Sequence, residues 1–282
     1  MASGLKLALF GLHRGSSADP ETLVARARLA EELGFESLWV GDHIALPLGD
    51  GDPPEQPRLE ALVALTYLAA VTSRVRLAVG VIVLPQRQPV LLAKQLSSID
   101  TLSKGRLIVG IGVGYVEPEL RALGASLADR GPRTDEYLAA MRALWEDTIP
   151  SFTGRNVSFS GVISRPRPVQ KPHPPIVIGG NSPAAYRRAI ETGNGWYGFD
   201  LDLDQTAEAL AGLRETANRY ERAAALGDLE ITITPHETVD VAIARRYADR
   251  GVHRLAIQPH TMDGTAIDDL IASIGETLIG RV

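Results

Sequence analysis

Apolar positions recur along this chain in two alternating rhythms. Short runs dense in Leu, Ile, Val and Ala, such as LKLALFGL (5–12), SLWV (37–40), VRLAVGVIVL (75–84) and RLIVGIGV (106–113), read as strands covered on both faces. Between them lie longer stretches with apolar residues at helical spacing: 20–33, 59–71, 90–102 and 133–146. Asp19-Pro20 gives the first helix an N-cap and a first-turn proline, and Gly34 stops it. The rhythm breaks between Pro150 and Pro175, where six prolines fall among short alternating pieces. We read 151–173 as an insertion carrying a β-hairpin and place it near the functional face. The alternation then resumes, with strands at 175–180, 195–199, 229–235 and 253–258 and helices at 184–191, 205–225, 237–250 and 265–279. Eight strands, each followed by a helix, predict an α/β protein of one domain over 1–282, a (β/α)8 TIM barrel with insertions.

Composition narrows the function. With 45% hydrophobic residues the chain can build a substantial core, and a formal net charge of −5 provides no basic excess for nucleic acid. No apolar run approaches the roughly 20 residues of a membrane helix. The opening MASGLKLALFGL reads as a first strand rather than a leader. Zero cysteines exclude disulfides, thiolate metal ligands and cysteine nucleophiles, and a cytoplasmic setting is expected.

In a barrel of this kind chemistry sits at the C-terminal strand ends. These are Gly11–Arg14, Gly41–His43, Val83–Arg87, Gly114–Glu119, Gly179–Ser182, Tyr197–Asp200, Thr234–His236 and Gln258–His260. Asp42-His43 admits two readings: a turn cap beside a loop histidine, or an imidazole aimed into the mouth for proton exchange. GIGVGY (110–115) is not a dinucleotide fingerprint, since Tyr115 stands where the third glycine should be. IGGNSP (178–183) is either a glycine-rich turn with a good cap or an anion site of backbone amides. His13, His236 and His260 also fall near strand ends, yet none has metal-ligand spacing, so no metal is expected. There is no G-x-S-x-G elbow.

Together GFESLWVGDH (34–43), RLAVGVIVLPQRQPVLLAKQLSSIDTLSKGRLIVGIGVGY (76–115) and PPIVIGGNSPAAYRRAIETGNGWY (174–197) resemble the luciferase-like monooxygenase superfamily, within it the branch using the deazaflavin coenzyme F420. The resemblance implies that His43 is the proton donor, base or stabiliser beside the redox carbon of the ring. It implies that Asp42 binds the cofactor or holds that histidine. It further implies a cis peptide at Gly80–Val81 behind the ring, Gly112 and Gly114 around it, and Gly179, Gly180 and Asn181 on the cofactor phosphate. A homodimer and a small-molecule substrate follow by the same likeness.

Two positions depart from the sugar-phosphate dehydrogenases of that family: Tyr115 replaces a glutamate after the fourth strand, and Pro47 replaces a tryptophan. The leading expectation is an F420-dependent oxidoreductase that transfers a hydride to or from a small organic substrate. The alternatives are an FMNH2-dependent monooxygenase and a flavin- or deazaflavin-binding protein without turnover. Loop 47–57 and segment 151–173 are expected to cover the site.

Overall fold

The computed structural model describes residues 4–48 and 56–282. Its strands, in chain order, are β1 (Lys6–Phe10), β2 (Ser37–Val40), β3 (Arg76–Val83), β4 (Leu107–Gly112), β5 (Phe152–Thr153), β6 (Ser158–Phe159), β7 (Ile176–Gly179), β8 (Gly195–Leu201), β9 (Glu230–Pro235) and β10 (Arg254–Ile257). All but β5 and β6 close into a parallel barrel in the order β1-β10-β9-β8-β7-β4-β3-β2, with β2 pairing back onto β1. The helices are α1 (Pro20–Leu33), α2 (Ala61–Val71), α3 (Pro89–Leu102), α4 (Glu117–Ala122), α5 (Arg130–Glu146), α6 (Pro183–Thr192), α7 (Leu203–Ala217), α8 (Val241–Asp249) and α9 (Gly264–Thr277). The expected TIM barrel is therefore the observed one.

Local signals explain the boundaries. Asp19 accepts from the Thr22 amide at 2.9 Å to open α1, and Gly34 closes it at φ +95°, a conformation glycine adopts freely. Helix α7 ends at Ala217, eight residues short of the periodicity reading. Beyond it Arg222 leaves the helix line and donates to the carbonyls of Ala189, Ile190 and Gly193, where α6 terminates. Helix α4 has no counterpart in the sequence reading.

Two cores follow from strand pleating. Outward residues such as Leu9, Leu38, Val40, Leu77, Val109 and Ile178 pack under the helices. Inward residues Ala8, Phe10, Trp39, Ala78, Ile108, Val177, Tyr197 and Ala256 fill the barrel itself. At the end where the strands begin, the inward positions turn ionic. Fully buried Arg254 bridges Glu36 at 2.8 Å and also pairs with Glu230, which in turn holds Lys6. Arg254 also lies over the Trp39 ring, 5.8 Å from its centroid. A plug of paired charges thus closes one end of the barrel.

Segment 151–173 lies away from the mouth. It joins the end of α5 to the start of β7, both at the plugged end, and its β5–β6 hairpin rests on Glu136 of α5. Gln170 donates to Asp100 and to the Leu107 carbonyl, where β4 begins, and no residue of the segment lines the mouth cavity. Of the other expected cover, 47–57, residues 49–55 lie outside the described residues.

Candidate active site

At the opposite end the inward positions shrink to glycine, and a cavity of about 570 Å³ opens, within the usual range for small-molecule sites. All nine residues expected at the site, Asp42, His43, Gly80, Val81, Gly112, Gly114, Gly179, Gly180 and Asn181, line this cavity.

Its floor is the Trp39–Tyr197 stack, centroids 5.2 Å apart. Burial pushes the Tyr197 phenol well above its ordinary pKa, so it stays protonated and hydrogen-bonds Thr234 at 2.7 Å. Along β3 the register shifts between Val79 and Ile82, and the Gly80–Val81 peptide in that bulge is cis, where the sequence resemblance placed it. The bulge turns Val81 inward, and the surrounding glycines make room for it. A Cβ at Gly112 would stand 2.5 Å from the Val81 side chain, and one at Gly179 would stand 2.9 Å from it. A Cβ on Gly80 would meet Trp39 at 2.8 Å. These glycines serve the packing of the bulge as well as the shape of the cavity wall.

The two carboxylates near His43 divide their work differently from the sequence expectation. Asp42 does not touch His43. Its side chain is 1% exposed, accepts from the Val83 amide at 3.0 Å and forms a two-pronged pair with Arg87, which also grips Glu60 at 2.6 Å. Buried charge demands such pairing, and the result ties the end of β2 to the end of β3. The histidine's partner is Glu119 on α4, whose Oε2 lies 3.0 Å from Nδ1. Glu119 is 2% exposed and also accepts from the amides of Ile44 and Ala45. Burial opposes its ionisation, but the bonds from His43 and from the two amides outweigh this and hold its pKa below the ordinary value. An ionised carboxylate only accepts, so Nδ1 carries the ring proton and Nε2 is the nitrogen left for chemistry. Tyr115 stands edge-on to the imidazole, centroids 6.1 Å apart.

The other strand-end histidines go elsewhere. His13 is fully buried and its Nε2 accepts from the Gly41 amide at 3.2 Å. Burial first, then the positive fields of Arg58, Arg14 and His43, lower its pKa to about 3, so it is neutral. His236 is paired with Asp200 on the exterior, and His260 is exposed. Among the described residues no three of His, Asp or Glu converge on a metal position.

On the far wall Ser182 caps α6, accepting from the Ala185 amide at 3.2 Å, with Pro183 in the first turn. Gly180 gives its amide to the Tyr197 carbonyl at 3.4 Å, and the first-turn amides of α6 have no carbonyl within their own helix. Arg130, the first residue of α5, also lines the cavity, and α5 meets α6 there through Arg188 and the Gly131 carbonyl. Sequence reasoning gave no role to Arg130, Arg58 or Glu119, although Glu119 fell inside a strand-end segment.

A parallel barrel with a glycine-walled mouth, a bulged third strand and a carboxylate-held histidine is built like a small-molecule site at the C-terminal face of a TIM barrel. Residues 5–272 match the model of the luciferase-like monooxygenase family, and the chain belongs to that family. It is 34% identical over 228 residues to the uncharacterized protein Rv0953c of Mycobacterium tuberculosis, covering 76% of this chain and 79% of that one. It is 31% identical to the FMNH2-dependent dimethylsulfone monooxygenase of Pseudomonas putida, covering 61% of this chain and 46% of that one. Among solved structures, an F420-dependent secondary alcohol dehydrogenase in complex with an F420-acetone adduct superposes with a TM-score of 0.82 at 15% identity, covering 99% of this chain and 100% of the other. The barrel is thus shared with an F420-dependent enzyme, and part of the chain is similar in sequence to an FMNH2-dependent one. No helix among the described residues is long and apolar enough to cross a membrane.

Proposed function

We propose that the protein is an F420-dependent oxidoreductase that moves a hydride between the deazaflavin ring and a small organic substrate, with His43 handling the coupled proton. The observation that carries this reading is the His43–Glu119 pair, set in a cavity whose wall is bare of side chains at Gly80, Gly112 and Gly179. Those glycines fit a flat ring, because any Cβ added there would displace Val81 or Trp39, which shape the wall.

The bound deazaflavin would supply the hydride chemistry; the protein supplies position and electrostatics. Val81 and the bulge would support the back of the ring. The first-turn amides of α6, the Asn181 side chain and Arg130 would hold the cofactor phosphate, combining free donors, helix dipole and a full charge. Asp42 is a positioning residue: through Arg87 and the Val83 amide it fixes the β2–β3 junction that presents His43. Glu119 orients the imidazole through Nδ1 and leaves Nε2 to give or take the proton. Reduced FMN is the rival cofactor, favoured by the likeness to the dimethylsulfone monooxygenase. A homodimer belongs to the same proposal, supported by the apolar side chains Val63, Tyr67 and Leu91 exposed on α2 and α3, as does a cytoplasmic location.

The test is a titration of the apoprotein with F420 and, separately, with FMN, following intrinsic tryptophan fluorescence. Saturable quenching by F420, with FMN much weaker, supports the assignment. Tight FMN binding without a response to F420 transfers the site to the rival.

A further inference from the structure

The inward face of β10 changes character along its length. Side chains alternate, so Arg254, Ala256 and Gln258 share one column. Arg254 is locked into the ion pairs of the plug, and Ala256 packs within the barrel. Gln258, just past the strand end, lines the mouth cavity, and its Oε1 is buried with no hydrogen-bond partner among the described residues. Its inward polar neighbours are satisfied: Tyr197 and Thr234 bond each other at 2.7 Å, and Trp39 gives its indole N–H to Ser37 at 2.8 Å. A buried acceptor left unpaired costs free energy, and the terminal torsion of a glutamine is soft enough to turn it toward a donor. In the closed ring of eight strands, β10 stands four strands from β4 and three from both β3 and β7. The bulge, Gly112 and the α6 terminus therefore occupy the other side of the mouth. Beside Gln258 the wall is aromatic. The pairing that matches Leu9 to Ile257 brings Phe10 next to Gln258, and the Phe10 and Phe199 centroids are 5.8 Å apart.

Resting on the reading of this mouth as a deazaflavin or flavin site, we propose that Gln258 is a specificity-determining residue and that the substrate is an uncharged ring compound bearing a hydroxyl or N–H. The substrate's body lies on Phe10 and Phe199, between that wall and the cofactor ring, and its O–H or N–H donates to Gln258 Oε1. The strands that carry His43 and Gln258 are two apart in the ring, about 10 Å along the wall, so one ring-sized body reaches both. The buried carboxylates of the mouth do not take this place, because Asp42 is held by Arg87, and Glu119 by His43 and two amides. A site built to bond a substrate hydroxyl rejects the analogue lacking it, since its own polar group is then left unpaired. An aromatic wall alone discriminates little between the two.

The probes are phenol and fluorobenzene, which share a ring and differ in whether they carry a donor. Each is added to protein saturated with whichever of F420 or FMN it binds, and binding is read from the absorption spectrum of the bound cofactor. Transfer out of water alone favours fluorobenzene, which has no hydroxyl to desolvate. Phenol is nonetheless expected to bind at least about fivefold more tightly. Gln258→Leu should abolish that preference and tighten fluorobenzene, a gain that a merely structural role does not produce. Gln258→Glu keeps an oxygen acceptor and should retain the preference for phenol. The wild-type comparison stands even if a variant fails to fold. Equal affinity for the two probes, binding of neither, or a preference that survives Gln258→Leu overturns the role of Gln258 while leaving the cofactor reading intact. Failure of both cofactors to bind is a separate result; it removes the reading of the mouth and this proposal with it.

Discussion

The two ends of the barrel bury the same chemistry for different purposes. At the plugged end Arg254, Glu36, Glu230 and Lys6 neutralise one another, and Arg254 is wholly buried. At the mouth, Asp42–Arg87 is equally closed, but Glu119 spends its bonds on two amides and one nitrogen of His43, a ring that lines an open cavity. The difference is completeness. A charge network with every group satisfied is architecture; one that leaves a ring nitrogen facing a cavity can act on a ligand.

Breaking each end should therefore fail in a different assay. Arg254→Ala takes the paired cation from Glu36 and leaves Glu230 with Lys6 alone, and it should lower unfolding free energy by about 3 kcal/mol in urea melts, with activity per folded molecule retained. His43→Ala should do the opposite. Turnover should fall by roughly 10²-fold or more, about 2.7 kcal/mol in barrier, while the urea midpoint barely moves. Gly80→Ala touches both ends of the argument, because its Cβ would stand 2.8 Å from Trp39 and 3.1 Å from Tyr197. Overpacking of the floor should cost roughly 1–3 kcal/mol and weaken cofactor binding in the same fluorescence titration. Glu119→Gln keeps an acceptor for the Ile44 and Ala45 amides but removes the charge beside His43. Turnover should drop roughly tenfold with cofactor affinity unchanged, a split that a merely structural role for Glu119 does not produce.

The smallest effect is in pH. Burial works against ionisation of Glu36 and Glu230, yet their bonds and attraction to Arg254, joined by Lys6 at Glu230, hold both pKa values below the ordinary glutamate range. A depressed folded-state value means the stabilisation is complete above the unfolded pKa, about 4.3, and is lost as pH falls through the folded values. Acid melts of the wild type should show that loss below about pH 4, and Arg254→Met should flatten it.

The strand–helix count and most boundaries were legible because each barrel strand is a short apolar run bounded by glycine, proline or a cap, as at Asp19 and Gly34. That the nine expected residues would gather around one cavity was legible because strand ends in such a barrel converge on one mouth. The partner of His43 was not. Glu119 sits 76 residues away, on a helix of six residues that is too short to show periodicity, beside Pro118. Asp42 attracted the role by adjacency, yet neighbouring residues on a strand point to opposite faces, and its carboxylate turns to β3. The placement of 151–173 failed for a topological reason: a segment between a helix end and the next strand start emerges at the far end of the barrel.

The most direct test of the account is a crystal structure of the protein grown with F420. The account predicts the ring across the Gly80–Val81 bulge with its reacting edge within about 4 Å of His43 Nε2, the Glu119 bond to Nδ1 intact, and the phosphate at the N-terminus of α6. A ring seated outside the mouth, or a His43 turned away from it toward another partner, would contradict that claim.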